Sequence, residues 1–151
     1  MKHLTFICSV AALAVSTSAI AFDLVSQSEF LSSSAQEKLT PTFTTRSILG
    51  PNDPVIDIRS PSLAAPVKAP VSIDLRFLAS GAAKINWESL KILYGAFKLD
   101  ITDRVKKEAR FLPDGMQIAA ANLPSGSHKL LIQVSNTEGK QAEREVRFTV
   151  E

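Results

Sequence analysis

Few side chains in this sequence could do chemistry on a substrate. There are two histidines, His3 and His128, and one cysteine, Cys8. A zinc site draws three or four Cys, His or carboxylate ligands, and a disulfide needs a pair of cysteines. A serine–histidine–aspartate triad would have to use His128, and no nucleophile-elbow sequence accompanies it. We therefore expect a protein that is not an enzyme, with no catalytic residue, no cofactor and no metal ligand.

Asp100 and Asp103 are the carboxylates whose spacing could serve acid–base or calcium chemistry, because they flank two residues at the end of an expected strand. Calcium takes about six to eight oxygen ligands, and the sequence has no dense acidic loop. A glycoside hydrolase needs two carboxyls roughly 5–9 Å apart in a cleft, where Glu88 would be a third candidate. We expect one solvent-facing and one turn-forming aspartate, and keep a small carboxylate-dependent hydrolase as an alternative.

A basic cluster follows these aspartates: Arg104, Lys106, Lys107 and Arg110. The formal net charge of the whole chain is only +2. One local cluster in a nearly neutral chain is typical of a solvated loop or an edge strand, where lysine discourages sheet-to-sheet pairing. We expect no nucleic-acid partner.

The N-terminal segment has the pattern of a secretory signal peptide. Lys2 and His3 precede an apolar run over residues 4–15, and Ala19-Ile20-Ala21 matches the small-x-small cleavage pattern. The run is shorter than the roughly 20 apolar residues that a transmembrane helix needs. We therefore expect residues 1–21 to be removed by cleavage before Phe22. The mature chain would be periplasmic or secreted, without a transmembrane span.

Residues 22–51, which we call the leader, are rich in serine, threonine and proline. Ser26 and Glu29 have the spacing of a capping box, and Val25 and Phe30 that of a hydrophobic staple. These signals predict a short helix near residues 27–38. The alternative is a mobile leader that separates the domain from the cleavage site.

From residue 52 onward the apolar residues alternate with polar ones, which is typical of strands with one buried face. Turn-forming glycine, proline and asparagine separate the strands, and no segment keeps a helical period over 11 residues. We expect seven or eight strands in two packed antiparallel sheets, with a small closed barrel as the alternative. The predicted core is Ile73, Leu75, Phe77, Leu90, Ile92, Leu99, Ile101, Leu130, Ile132, Val134, Val146 and Phe148.

Residues 54–151 resemble a bacterial exported immunoglobulin-like (fibronectin type III-like) domain. The segments that carry the resemblance are residues 89–95, 99–102, 123–130, 134–140 and 146–150. The resemblance implies an all-β, antiparallel immunoglobulin-like sandwich over residues 52–151, and this fold hosts many unrelated functions. The chain departs from the antibody pattern because it lacks the cysteine pair and because Trp87 precedes an expected strand. His128 occupies the position where related domains place a corner tyrosine.

Two further expectations concern single side chains. His128 shares its parity with Leu130 and Ile132, so we expect an inward-facing, hydrogen-bonded structural corner residue. The predicted outer-face residues Leu78, Leu93 and Leu131 would form a partner surface if they met Trp87. The leader helix could instead cover such a patch from within the same chain.

Together these observations predict a non-catalytic exported binding, adaptor or structural module of a bacterial cell envelope. Its partner would be another envelope protein or an extracellular ligand. A subunit of a larger envelope assembly that docks through its leader is the alternative. The sequence leaves the ligand and the oligomeric state open.

Overall fold

The computed structural model describes residues 21–37, 50 and 52–151. The expected signal peptide, apart from Ala21, and leader residues 38–49 and 51 lie outside this part. The elements in chain order are β1 (Phe22–Asp23), α1 (Gln27–Glu37), β2 (Val55–Ser60), β3 (Val71–Leu78), β4 (Ile85–Tyr94), β5 (Leu99–Asp100), α2 (Thr102–Glu108), β6 (Arg110–Leu112), β7 (Gly115–Asn122), β8 (Gly126–Asn136) and β9 (Gln141–Val150).

The strands form two sheets that enclose an apolar core, which confirms the predicted all-β sandwich. The first sheet has the order β1-β7-β3-β2, with β6 also paired to β7, and the second has the order β5-β4-β8-β9. The pairings between these strands are antiparallel except that of β1 with β7. Nine strands are described, more than the seven or eight expected, because β1 comes from the leader and both β1 and β5 have two residues.

The predicted core is buried between the sheets with one exception. Leu99 is 37% exposed, so its assignment to the core was wrong. It pairs with Tyr94 and shares that residue's face, but β5 is the last strand of its sheet and ends one residue later. Position at the sheet edge therefore overrides the parity that the alternation indicated.

Helix α2 was not expected, since seven residues are too few to show a helical period. Local hydrogen bonds mark its start instead: the Asp100 carboxylate accepts one from the Thr102 amide at 2.9 Å. The Thr102 hydroxyl accepts another from the Ile92 amide at 2.8 Å, which joins the helix to β4. Ile101 and Val105 are buried in the core, so the helix closes one side of the sandwich.

The described part of the leader is built into the sandwich. Phe22 and Asp23 pair with β7, and Leu24 and Val25 belong to the core. The predicted helix is present as α1, and its capping box forms because the Ser26 amide donates to the Glu29 carboxylate at 2.9 Å. Residues 22–37 and 52–151 therefore share one core.

Candidate functional site

His128 lies on the inner face of β8 with only 1% of its surface exposed. Its Nε2 donates a hydrogen bond to the Pro124 carbonyl at 2.7 Å, and its Nδ1 accepts one from the Tyr94 hydroxyl at 2.9 Å. A carbonyl can only accept, so Nε2 carries a proton, and in the neutral imidazole Nδ1 is then the acceptor. Both ring nitrogens are occupied, and neither is open to a substrate or a metal.

Aromatic rings surround the imidazole of His128. The ring centroids of Phe30, Phe148 and Tyr94 lie 5.1, 5.6 and 5.9 Å from its own. Burial lowers the pKa of His128, and the hydrogen bond to the Pro124 carbonyl opposes that shift in part. Burial also raises the pKa of Tyr94 to about 12, with a further contribution from the two carboxylates of α1. Both groups are therefore neutral near pH 7.

Helix α1 packs against the sandwich at two glycines with positive φ, Gly95 (69°) and Gly126 (137°). A Cβ atom on Gly126 would lie 2.5 Å from the Phe30 ring, and one on Gly95 would collide with the Ser33 hydroxyl. Ser33 is buried and its hydroxyl accepts a hydrogen bond from the Ala96 amide at 3.0 Å. The close approach of α1 thus depends on the absence of side chains at these two positions.

Ion pairs hold both ends of α1. Arg104 of α2 donates to both carboxylate oxygens of Glu29, at 2.9 and 2.7 Å. These bonds, with those from Ser26, lower the pKa of Glu29 to about 2. At the other end, the Glu37 carboxylate lies 3.5 Å from the Arg147 guanidinium on β9.

An open groove of about 250 Å³ separates α1 from the turn that joins β4 to β5. We call it the α1 groove; its lining is Ser28, Glu29, Ser32, Ser33, Tyr94, Phe97 and Leu99. Phe97 is 62% exposed at its rim. The turn has positive φ at its first and last residues, Gly95 and Lys98, and the Lys98 amide donates to the Gly95 carbonyl at 3.3 Å. An apolar ring is therefore presented to solvent on a defined turn.

The residues expected to form a partner surface do not meet in one patch. Leu78 is exposed on the outer face of the first sheet. Leu93 and Leu131 are directly paired on the outer face of the second sheet, where Leu131 is buried and Leu93 half-buried. The two sheets present their outer faces on opposite sides of the sandwich.

Trp87 lies within β4, so the expectation that it precedes a strand was wrong. It makes edge-to-face contacts with Phe77 and Phe111, at ring-centroid distances of 5.1 and 5.3 Å. Phe77 and Phe111 belong to the first sheet and Trp87 to the second. The Trp87 side chain therefore links the two sheets.

Glu88 lies apart from the other two candidate carboxylates, Asp100 and Asp103. Asp100 is bonded to the start of α2, which lowers its pKa, and Asp103 lies in the first turn of that helix. Glu88 lies five residues before Leu93, the β4 partner of Asp100, which is roughly 16 Å along the strand. Within the described residues, no group of three or more His, Cys, Asp and Glu side chains is placed to hold a metal ion.

The basic cluster lies on α2 and β6 rather than in a loop. Arg104, Lys106 and Lys107 belong to the helix and Arg110 to the strand. Arg104 is engaged with Glu29 of α1. This contact between residues 75 positions apart has no local sequence signal.

Sequence reasoning also missed the α1 groove. Its parts come from residues 28–33 and 94–99, which the fold brings together. The signal that could have located Phe97 is its place in the short Gly95–Lys98 turn.

Neither of the two helices in the described ranges is long and apolar enough to cross a bilayer. No protein-family model matches the chain, and no match was found among curated proteins. One solved structure with a similar chain path is titled "The crystal structure of CopC from Methylosinus trichosporium OB3b". It has 21% sequence identity and a TM-score of 0.45, and the match covers 66% of this chain and 93% of the other. A likeness at this level carries nothing about what this chain binds.

Proposed function

We propose that this protein is a non-catalytic exported binding module that docks a partner protein in the α1 groove. The observation that supports this most directly is Phe97, a large apolar side chain that is 62% exposed at the groove rim. Aromatic residues on defined turns are common anchors of protein interfaces because they contribute contact area at low entropic cost.

The size of the groove favours a protein side chain over a small molecule. Its volume of about 250 Å³ is below the roughly 300–1,000 Å³ of enclosed small-molecule sites. Tyr94, Phe97 and Leu99 provide apolar surface, and the Ser28 and Ser32 hydroxyls can bond to a partner backbone. We propose that the occupant is one protruding apolar side chain of another envelope protein.

Several observations support a non-catalytic role. Both nitrogens of His128 are engaged in hydrogen bonds within the fold. The separation of Glu88 from Asp100, roughly 16 Å, exceeds the spacing of about 5–9.5 Å that glycoside hydrolysis uses. These arrangements favour a binding module over the carboxylate-dependent hydrolase.

The exported location rests on the signal-peptide pattern of residues 1–21, and we propose the periplasm or the exterior. We also propose an immunoglobulin-like (fibronectin type III-like) sandwich, because the turn at residues 123–126 leads into β8 as in the domains that the sequence resembles. The alternative in which the leader docks onto another subunit receives less support. Residues 22–37 already contact their own sandwich and form one wall of the groove.

The proposal can be tested by selecting phage-displayed peptides on the immobilised protein. We expect enriched peptides with a large aromatic or aliphatic residue. Phe97→Ser should weaken their binding at least about tenfold, since truncating an interface hot spot costs more than about 1.4 kcal/mol. Leu78→Ser is the matched control, because Leu78 is also exposed but lies on the other sheet. Equal binding to wild type and Phe97→Ser would contradict the groove as the docking site.

A further inference from the structure

The imidazole of His128 is covered by elements that differ in how firmly they are held. Phe148 and Tyr94 belong to long strands of the second sheet. Phe30 belongs to α1, an 11-residue helix in which only Ser33 is buried. Three consecutive serines, residues 32–34, weaken its intrinsic helix preference. Few buried side chains therefore attach Phe30 and the rest of α1 to the sandwich.

The segment that precedes α1 would stay in place during such a movement. Leu24 and Val25 are fully buried in the core, and the Leu24 amide donates to the Asn122 carbonyl at 3.1 Å. The helix begins two residues after Val25. The chain around Ser26 would act as a hinge between an anchored segment and a helix held by side-chain contacts.

From this geometry we propose that protonation of His128 releases α1 from the sandwich and so removes one wall of the α1 groove. The consequence for partner binding rests on the proposed function, whereas the release of α1 does not.

The added proton reverses the direction of an existing hydrogen bond. In the neutral tautomer, Nδ1 accepts from the Tyr94 hydroxyl. Once Nδ1 carries a proton it becomes a donor, so the hydroxyl proton of Tyr94 loses its acceptor. The new charge also lies among aromatic rings, where a desolvated cation is costly. Displacing Phe30 would let water reach the imidazolium and reduce both costs.

The charged groups of α1, and those of β8 and β9 beside His128, are already paired with one another. On α1, Glu29 is bonded to Arg104 and Glu37 to Arg147. On β8, Lys129 next to His128 is paired with Glu145 of β9, which also contacts Arg147. Tyr94 of β4 has its pKa raised to about 12 and stays neutral, and Pro124 offers only its carbonyl.

The direction of the pH effect follows from the burial of the imidazole. Burial lowers the pKa of His128 in the docked state below its value of about 6.5 in water. Because the pKa of His128 is lower in the docked state, the imidazole binds more protons when α1 is released. The docking of α1 is therefore fully favourable above about pH 6.5 and weakens as the pH falls. The Glu29–Arg104 pair stays ionised in this range because the pKa of Glu29 is about 2.

Hydrogen exchange of the purified protein between pH 7.5 and 4.5, corrected for intrinsic rates, tests the inference without any ligand. We expect protection of residues 27–37 to fall about tenfold per pH unit between the released and docked pKa values of His128. Amides of β8 and β9 should stay protected. The fall should begin near pH 6.5 and level off at the pH where the imidazole of His128 titrates by NMR.

His128→Gln is the control variant, because glutamine can donate to one partner and accept from the other but does not titrate. It should keep α1 protected at pH 4.5. The inference is overturned if α1 in the wild type remains protected after His128 has titrated, or if His128→Gln releases α1 over the same pH range. Should that variant not fold, the wild type decides by whether the fall in protection levels off where His128 titrates. Failure of the peptide selection would leave this outcome unchanged.

Discussion

Arg104 of α2 forms a two-pronged ion pair with Glu29 of α1, and the same carboxylate accepts from the Ser26 amide and hydroxyl. The Glu29 side chain thus caps α1 and joins it to α2. Since α1 forms one wall of the groove, this pair positions the groove as well as stabilising the fold.

Replacing Arg104 should weaken the attachment of α1. We expect Arg104→Met to lower the free energy of unfolding by about 0.5–1 kcal/mol, since the pair is bidentate but partly exposed. Lys107→Met on the same helix is the control and should change stability by less than about 0.5 kcal/mol. Urea denaturation followed by circular dichroism measures both. Equal effects of the two substitutions would show that the ion pair contributes nothing.

Gly126 should tolerate no side chain while Phe30 is docked. We expect Gly126→Ala to destabilise the protein by about 1–3 kcal/mol, because it adds a clash with Phe30 to the strain of a positive φ. Gly139→Ala also introduces strain, at φ 78°, but its Cβ would meet nothing within 4 Å, so it should cost only about 1 kcal/mol. In thermal denaturation, the double variant Gly126→Ala/Phe30→Ala should lose less stability than the sum of the two single losses. Strict additivity would argue against the contact.

The core assignment makes a contrasting pair of predictions. Ile132→Ala should cost about 2–5 kcal/mol, because the side chain is buried between the sheets. Leu99→Ala should cost less than about 1.5 kcal/mol, because Leu99 is 37% exposed at the sheet edge. Chemical denaturation of both variants checks the difference. Comparable losses would mean that the edge position of Leu99 is misassigned.

These contrasts show what the sequence could predict. Alternation located β3, β8 and β9, and the spacing of Ser26 and Glu29 located α1, because both signals are local. The alternation of apolar and polar residues did not reveal β7, because Ala119, Ala120 and Ala121 interrupt it. The α1 groove could not be predicted, because the hydrogen bond from Ala96 to Ser33 joins residues 63 positions apart. Such contacts depend on tertiary packing, which the periodicity of apolar residues in the sequence does not specify.

The two titrating contacts of α1 should act in separate pH ranges. The pKa of Glu29 is lowered from an ordinary value of 4.5 to about 2, so its contribution is full above about pH 4.5 and is lost as the pH falls toward 2. In the His128→Gln background, where α1 stays docked, the stability difference that Arg104→Met causes should therefore be constant from pH 8 to pH 5 and vanish near pH 2. In the wild-type background it should shrink below about pH 6.5, because release of α1 separates Glu29 from Arg104. Thermal denaturation at intervals of half a pH unit would measure it. A difference that changed between pH 7 and 5 in the His128→Gln background would contradict the assignment of the pH effect to His128. A constant difference in that background would show that the ion pair itself does not titrate above about pH 4.5. A smaller difference in the wild-type background at pH 5 would then report the release of α1 by the imidazole of His128.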